Sequence, residues 1–350
     1  MLLHSSSFRC QDIAGYRFYI SCSRGSSSLS HYRCAYPRVI TAMSNNTATL
    51  RAEKVNGYMT EILEISAESP RLKVVFIPGN PGIILFYKSY LEALACSFDG
   101  KANILGVGYA GFVPKNLGER KLFSLEEQVE HKIEFVKQQL TDNRTPLVLI
   151  GHSIGAYMAF STYKRLADKV NYAIGLYPFI ATNENSSFQA FLRWYLRQEF
   201  LCATVSHFAN LMGKMPQIIP RGFIRNLYGR NWSIFSLDVA CQYLLHYSLV
   251  RNIMYLGMTE FNKLQKCPDW KFLKERQISI SILFGVDDHW GPLTLFEEIS
   301  KEVPSLDISI EREGHDHAFC CTNEGSRWVA AYCAKAIKRI MPELESVLQL

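Results

Sequence analysis

The chain has 350 residues, enough for one or two domains with a sizeable hydrophobic core. Its composition is 48% hydrophobic and 20% charged, which excludes a disordered polyelectrolyte and a polytopic membrane protein. A net charge of +6, from 38 basic and 32 acidic residues, is too dilute to indicate nucleic-acid binding by itself. The ten cysteines include no C-x-x-C pair, so the usual zinc-site signature is missing.

Residues 1–50 form a leader that carries five arginines, one acidic residue and many serines. This composition is typical of a transit peptide, in which case residues 1–42 would direct the protein to a plastid or mitochondrion. The alternative is a disordered extension ahead of a second start at Met43. Neither interpretation gives the leader a part in the chemistry.

Strand and helix signals alternate from Tyr58 onward. A capping box at residues 124–127 marks one helix, and apolar residues at helical spacing predict a closing helix over residues 326–348. Together they predict an α/β domain over residues 58–345, with a mostly parallel sheet flanked by helices. The predicted strands are 60–65, 73–77, 103–108, 147–150, 172–176, 279–284 and 307–310.

Residues 186–258 interrupt this alternation with apolar and aromatic residues at helical spacing, and they predict a helical cap inserted between two strands. The insertion holds two acidic residues, Glu199 and Asp238, against seven basic ones. Basic heads on apolar bodies are typical of a segment at a lipid interface. The alternative is a cap whose apolar face covers an active-site mouth, and the two can coexist. The basic residues are Arg193, Arg197, Lys214, Arg221, Arg225, Arg230 and Arg251.

The strongest local motif is GHSIG at residues 151–155, which follows an apolar strand and precedes a run of small helical residues. This is the G-x-S-x-G pattern of a nucleophile elbow, and its glycines are needed because the turn is too tight for side chains there. The motif predicts Ser153 as a nucleophile. Its hydroxyl needs an imidazole base, which in turn needs a carboxylate to orient it.

In this architecture the acid and then the base follow the serine along the chain. Asp287 and Asp288 come after the predicted strand 279–284, and a G-x-x-D reading favours Asp288. His315 and His317 come after the strand 307–310, and His317 leads into the helix beyond. Both histidines are candidates for the base.

An acyl-transfer site also needs backbone N–H groups that stabilise the oxyanion. The Ile154 N–H, directly after the nucleophile, is the first candidate. The second belongs to the loop at residues 78–82, PGNPG, whose two prolines have no N–H. Asn80 is the preferred donor, with Gly82 behind it, unless the loop is only a tight turn.

Four short motifs occur together in this chain: PGNPG at 78–82, GHSIG at 151–155, DHW at 288–290 and HAF at 317–319. On these motifs the chain resembles the lipid droplet-associated hydrolase family of the α/β-hydrolase superfamily over about residues 58 to 345. The resemblance implies Ser153 as nucleophile, Asp288 as acid and His317 as base. It further implies the α/β-hydrolase fold, carboxylic ester hydrolysis on neutral lipid or sterol esters, and association with lipid droplets and the endoplasmic reticulum.

These observations predict a serine esterase acting on an apolar ester, with the cap on a lipid droplet monolayer or an endoplasmic reticulum membrane. No metal, organic cofactor or nucleic acid is implied. One alternative is a lipid-droplet surface protein whose triad turns over little. Another is a thioesterase or acyltransferase that uses the same acyl-serine.

Overall fold

A computed structural model describes residues 47–113, 121–140, 144–228 and 231–344. Most of the leader, Arg230 in the insertion and the end of the predicted closing helix therefore lie outside the described residues.

The described chain is organised around one eight-stranded sheet of order β1-β2-β4-β3-β5-β6-β7-β8. β2 runs antiparallel to both of its neighbours, and all pairs from β4 to β8 are parallel. The central strands are apolar throughout because helices cover both of their faces. The strands are β1 (Thr49–Val55), β2 (Tyr58–Ile65), β3 (Leu72–Ile77), β4 (Ala102–Val107), β5 (Leu147–His152), β6 (Tyr172–Leu176), β7 (Ile280–Gly285) and β8 (Asp307–Glu311).

Helices pack on both faces of the sheet, with α1 and α11 in one core and α2, α3, α9 and α10 in the other. The capping box at Ser124 is formed, because its side chain accepts from the Glu127 N–H and the Glu127 side chain accepts in return. These helices are α1 (Lys88–Cys96), α2 (Leu125–Gln139), α3 (Ile154–Arg165), α9 (Trp270–Glu275), α10 (Leu293–Glu302) and α11 (Asn323–Ile340).

Six α-helices of the described chain lie between β6 and β7, and α9 is the last of them. We call the first five the cap segment: α4 (Ser187–Tyr195), α5 (Glu199–Met212), α6 (Ile218–Tyr228), α7 (Ile234–Tyr243) and α8 (Tyr247–Lys263). The segment runs five residues past the predicted end at 258 because α8 continues to Lys263. In the described part of the chain, no helix is both long and apolar enough to cross a membrane.

The mostly parallel sheet flanked by helices confirms the predicted fold class, and each predicted strand is present with its ends shifted by at most two residues. β1 corrects the predicted boundary between leader and domain. Thr49 and Leu50 belong to the sheet and not to the leader, and the domain begins before residue 58. The strand was missed because it lies at the sheet edge, where charged residues such as Arg51 and Glu53 alternate with small ones.

Candidate active site

Ser153 occupies a sharp turn between β5 and α3, at the carboxyl edge of the parallel strands. Its backbone has φ 55° and ψ −126°, a conformation that is rare for a residue with a side chain. Such backbone strain costs about 1–3 kcal/mol and persists only where the surroundings enforce it. Here Ser153 N–H donates to the Leu176 carbonyl at 2.9 Å, and its own carbonyl accepts from the Phe179 N–H at 3.1 Å.

The two glycines of the motif leave no room for side chains. A Cβ on Gly151 would lie 2.1 Å from the Gly155 carbonyl oxygen. A Cβ on Gly155 would lie 2.4 Å from the carbonyl oxygens of both Ile77 and Pro78. The helix start therefore packs directly on the end of β3 and on the loop at 78–82, as the steric reading of the motif requires.

The structure brings Asp288 and His317 together from the loops after β7 and β8. His317 Nδ1 lies 3.0 Å from each carboxylate oxygen of Asp288. The Trp290 N–H donates to Asp288 Oδ1 at 2.9 Å, so this oxygen is held by a second contact. The Asp288 side chain is 1% exposed and the His317 side chain 26% exposed, so the acid is enclosed while the imidazole has an open side. With Nδ1 on the carboxylate, Nε2 is the nitrogen left to exchange a proton.

The alternate candidates for the acid and the base, Asp287 and His315, lie outside this contact. Asp287 is exposed. The His315 ring packs against the Trp328 ring of α11, with 5.8 Å between the ring centroids. The backbone N–H of His315 donates to Glu311 Oε2 at 3.0 Å. Neither residue shares the contact that joins Asp288 to His317.

The loop at residues 78–82 has one free backbone donor. The Gly79 N–H donates to the Tyr87 hydroxyl at 3.1 Å, and the Gly82 N–H donates to the Gly79 carbonyl at 2.6 Å. The two prolines have none. The Asn80 N–H has no hydrogen-bond partner among the described residues, and a Cβ on the adjacent Gly79 would lie 2.8 Å from Ser153 Cβ. Ile154, the first residue of α3, precedes the helical bonding pattern and also keeps its N–H available.

His152, which the sequence analysis did not consider as a site residue, contacts both His317 and Tyr87. The His152 ring is buried and its centroid lies 4.7 Å from that of His317. Burial, with a smaller contribution from His317, lowers the pKa of His152 well below its usual value, and burial raises the pKa of Tyr87. Tyr87 therefore keeps its proton and donates to His152 Nδ1 at 2.7 Å. The signal was in the motif itself, because His152 directly precedes the serine.

Glu260 of α8 was also missed. Its carboxylate accepts from Asn80 Nδ2 at 3.2 Å, so the cap segment reaches the loop that carries the free N–H. The cap also reaches the acid loop, since Gln189 Nε2 donates to the His289 carbonyl at 2.8 Å. The sequence signal for Glu260 is an acidic residue on the apolar face of a helix, next to Leu256 and Phe261.

The strand order, the strained serine between β5 and α3 and the acid and histidine after β7 and β8 define an α/β hydrolase. The haloalkane dehalogenase DatA from Agrobacterium tumefaciens C58 superposes with a TM-score of 0.60 at 14% identity, over 84% of this chain and 99% of the dehalogenase chain. At that identity the likeness shows the shared fold alone.

The family model for lipid-droplet associated hydrolases matches residues 70–320, and the chain belongs to that family. A lipid droplet-associated hydrolase of Dictyostelium discoideum is 26% identical over 274 residues, covering 74% of this chain and 86% of the relative. The protein of the same name from Mus musculus is 28% identical over 267 residues, covering 71% of this chain and 80% of the relative.

Proposed function

We propose that the chain is a serine carboxylic ester hydrolase with Ser153 as nucleophile, His317 as base and Asp288 as the orienting acid. The observation that carries the proposal is the Asp288 carboxylate on His317 Nδ1, with the His317 ring 4.7 Å from that of the residue preceding Ser153. This arrangement fits the division of roles in a serine, histidine and aspartate triad.

The reaction proceeds through an acyl-enzyme. Ser153 Oγ attacks the ester carbonyl carbon while His317 Nε2 takes its proton, and the N–H groups of Asn80 and Ile154 stabilise the oxyanion. His317 then protonates the leaving alkoxide, and the C–O bond breaks to leave an acyl-serine and an alcohol. Water loses a proton to His317 as it attacks the acyl carbon. The bond between that carbon and Ser153 Oγ then breaks, His317 returns the proton to Oγ, and the carboxylic acid leaves. These steps need no metal ion or organic cofactor.

An apolar ester, from the neutral lipid or sterol ester class, is the proposed substrate. The support is the surface of the cap segment and the name of the relatives. Of the eighteen exposed large hydrophobic residues in the described chain, fifteen lie between Phe188 and Phe235. Phe200, Ile218 and Ile234 are 79%, 82% and 71% exposed. Exposed apolar residues at this density are typical of a surface that binds lipid or a partner.

The partner we propose for this surface is the monolayer of a lipid droplet, with an endoplasmic reticulum membrane as a second such surface. The exposed cations Arg197, Lys214 and Arg225 stand among the apolar residues and can reach lipid phosphates. The exposed residues belong to α4–α7 and their connections, whereas α8 contributes none of them. Delivery of an apolar ester from the lipid to Ser153 follows from this arrangement. A targeting role for residues 1–42 stays a prediction.

Labelling with a fluorophosphonate probe tests the catalytic part. The wild-type protein should be labelled, and Ser153→Ala should lose all labelling. Ser161→Ala, two turns further along α3, is the matched control and should be labelled like the wild type. Equal labelling of Ser153→Ala and the wild type would overturn the proposal. A lipidomic comparison of cells with wild-type and Ser153→Ala protein then identifies the ester that accumulates.

Replacement of Phe200, Ile218 and Ile234 together by serine tests the membrane part. Each buried side chain of this size contributes about 1.5–3 kcal/mol, so binding to lipid droplets should weaken at least about tenfold. The matched control replaces the three exposed apolar residues outside the cap: Ile278, Val286 and Ile340. Flotation of both variants with droplets measures the difference, and equal retention of the two would contradict the cap assignment.

A further inference from the structure

Glu260 is a buried acid without a counter-ion. Glu260 is 3% exposed, and no lysine, arginine or histidine in the described part of the chain forms an ion pair with it. An ionised carboxylate in such a place is costly, and a carboxyl group usually stays protonated instead. Burial raises the pKa of Glu260 from 4.5 to about 8, with the hydrogen bond from Asn80 acting in the opposite direction.

The Asn80 carboxamide faces this acid in a fixed orientation. Its Nδ2 donates to the Ile253 carbonyl at 3.0 Å and to Glu260 Oε1 at 3.2 Å. A backbone carbonyl can only accept, so the nitrogen must point towards α8. Asn80 Oδ1 is buried and has no hydrogen-bond donor among the residues that the structure describes. An unpartnered buried amide oxygen costs about 1–3 kcal/mol.

A protonated Glu260 would account for both features, because a neutral acid needs no counter-ion and its hydroxyl is the kind of donor that Asn80 Oδ1 lacks. One oxygen of a carboxylic acid accepts a hydrogen bond and its hydroxyl donates one, which is the complement of the N–H and C=O of a carboxamide. We propose that Glu260 acts as a neutral acid that pairs with the Asn80 side chain and thereby positions the Asn80 backbone N–H for the oxyanion. Glu260 is a positioning residue, and the inference rests on the proposed function of Asn80.

The other ionisable groups around Glu260 leave its proton in place. Burial raises the pKa of Tyr109, whose hydroxyl donates to the Pro78 carbonyl at 2.6 Å, so this neighbour stays neutral. Lys132 lies over the Tyr109 ring, and burial lowers its pKa well below the usual value. The cations on α8 are engaged elsewhere, Arg251 with Glu199 and Lys263 with Glu126.

The test is the pH profile of kcat/KM on p-nitrophenyl butyrate between about pH 6 and pH 9.5, on the full chain. Glu260→Gln keeps one acceptor and one donor at every pH, so it mimics the neutral acid. We expect the wild-type rate to fall above about pH 8, where Glu260 ionises, and the Glu260→Gln rate to stay level. Glu126→Gln, an exposed acid that contacts α8 through Lys263, is the matched control and should reproduce the wild-type profile.

Glu260→Leu removes the pairing at all pH values and should lower kcat/KM about tenfold. This is less than the roughly 10²- to 10³-fold loss on removing an oxyanion donor outright, because the Asn80 N–H is displaced and not removed. Identical profiles for the wild type and Glu260→Gln would overturn the inference, and this comparison is valid even if Glu260→Leu does not fold. The outcome is separate from that of the proposed function. Loss of labelling in Ser153→Ala together with identical profiles would retain the serine hydrolase and reject only the role of Glu260.

Discussion

Asp288→Asn gives a sharp test of the acid, because the structure specifies what an amide would do in its place. The Trp290 N–H needs an acceptor at the Oδ1 position, so the asparagine oxygen will occupy it and the NH2 group will take the Oδ2 position. That NH2 group then lies 3.0 Å from His317 Nδ1. His317 Nδ1 then faces one donor and one neutral acceptor that is already shared with the Trp290 N–H, where the carboxylate presented two charged acceptors. This exchange favours the imidazole tautomer whose proton is on Nε2.

An imidazole with its proton on Nε2 cannot accept the proton of Ser153. The same exchange of aspartate for asparagine in a serine protease triad lowers kcat about 10⁴-fold, or about 5.4 kcal/mol at 1.36 kcal/mol per decade. We expect Asp288→Asn to lower kcat/KM for a soluble ester by about 10³ to 10⁴-fold, and the rate of fluorophosphonate labelling in parallel. Its thermal unfolding should stay close to that of the wild type, since the side chain keeps its shape.

Asp287→Asn is the matched control, one residue earlier and exposed. A surface change of this kind alters the free energy of unfolding by at most about 0.5 kcal/mol. Its kcat/KM should stay close to the wild-type value, because Asp287 has no part in the contact between Asp288 and His317. A large loss in Asp287→Asn together with near wild-type labelling in Asp288→Asn would refute the assignment of the acid.

Three further outcomes follow from the structure. His317→Gln should lose fluorophosphonate labelling and His315→Gln should keep it, and the reverse pattern would exchange their roles. Gly155→Ala should lower the free energy of unfolding in urea by at least about 1–3 kcal/mol, because its Cβ would meet two carbonyl oxygens at 2.4 Å. Gly222→Ala, whose Cβ meets nothing within 4 Å, should stabilise by up to about 1 kcal/mol, and equal losses in both would contradict the steric argument. Between pH 4.5 and about 8, native Glu260 holds a proton that the unfolded chain releases, so the free energy of unfolding should fall with rising pH, less steeply in Glu260→Gln.

The sheet could be predicted from the sequence because its central strands are short apolar runs between turn residues. All six residues of β5 are buried, and so are all six of β7. Burial on both faces requires a continuous apolar run, which is easy to recognise in the sequence. β1 was missed because an edge strand buries little and its charged residues hide the alternation. The end of the cap was placed too early because no glycine or proline lies between residue 258 and the end of α8 at Lys263 to mark the boundary.

The candidate site was predicted only as far as motif and chain order extend. GHSIG fixes its serine, and the order of acid and base narrows each choice to two neighbours. The choice between Asp287 and Asp288 depends on burial, which adjacent residues in a loop do not reveal. The contact between Asn80 and Glu260 joins residues 180 positions apart, and no local pattern encodes such a pairing.

The cap segment enters the chain between two strands that pair directly, with Ala173 of β6 opposite Ile280 of β7. The register of the sheet is therefore set by β6 and β7 themselves and does not depend on the length of what connects them. Doubling a connection of this kind costs only about 0.6 kcal/mol in closure entropy. Evolution can thus lengthen, shorten or exchange helices between these strands, provided that the contacts of Gln189 and Glu260 with the site are kept. Substrate range can then diverge separately from the chemistry at the strand ends.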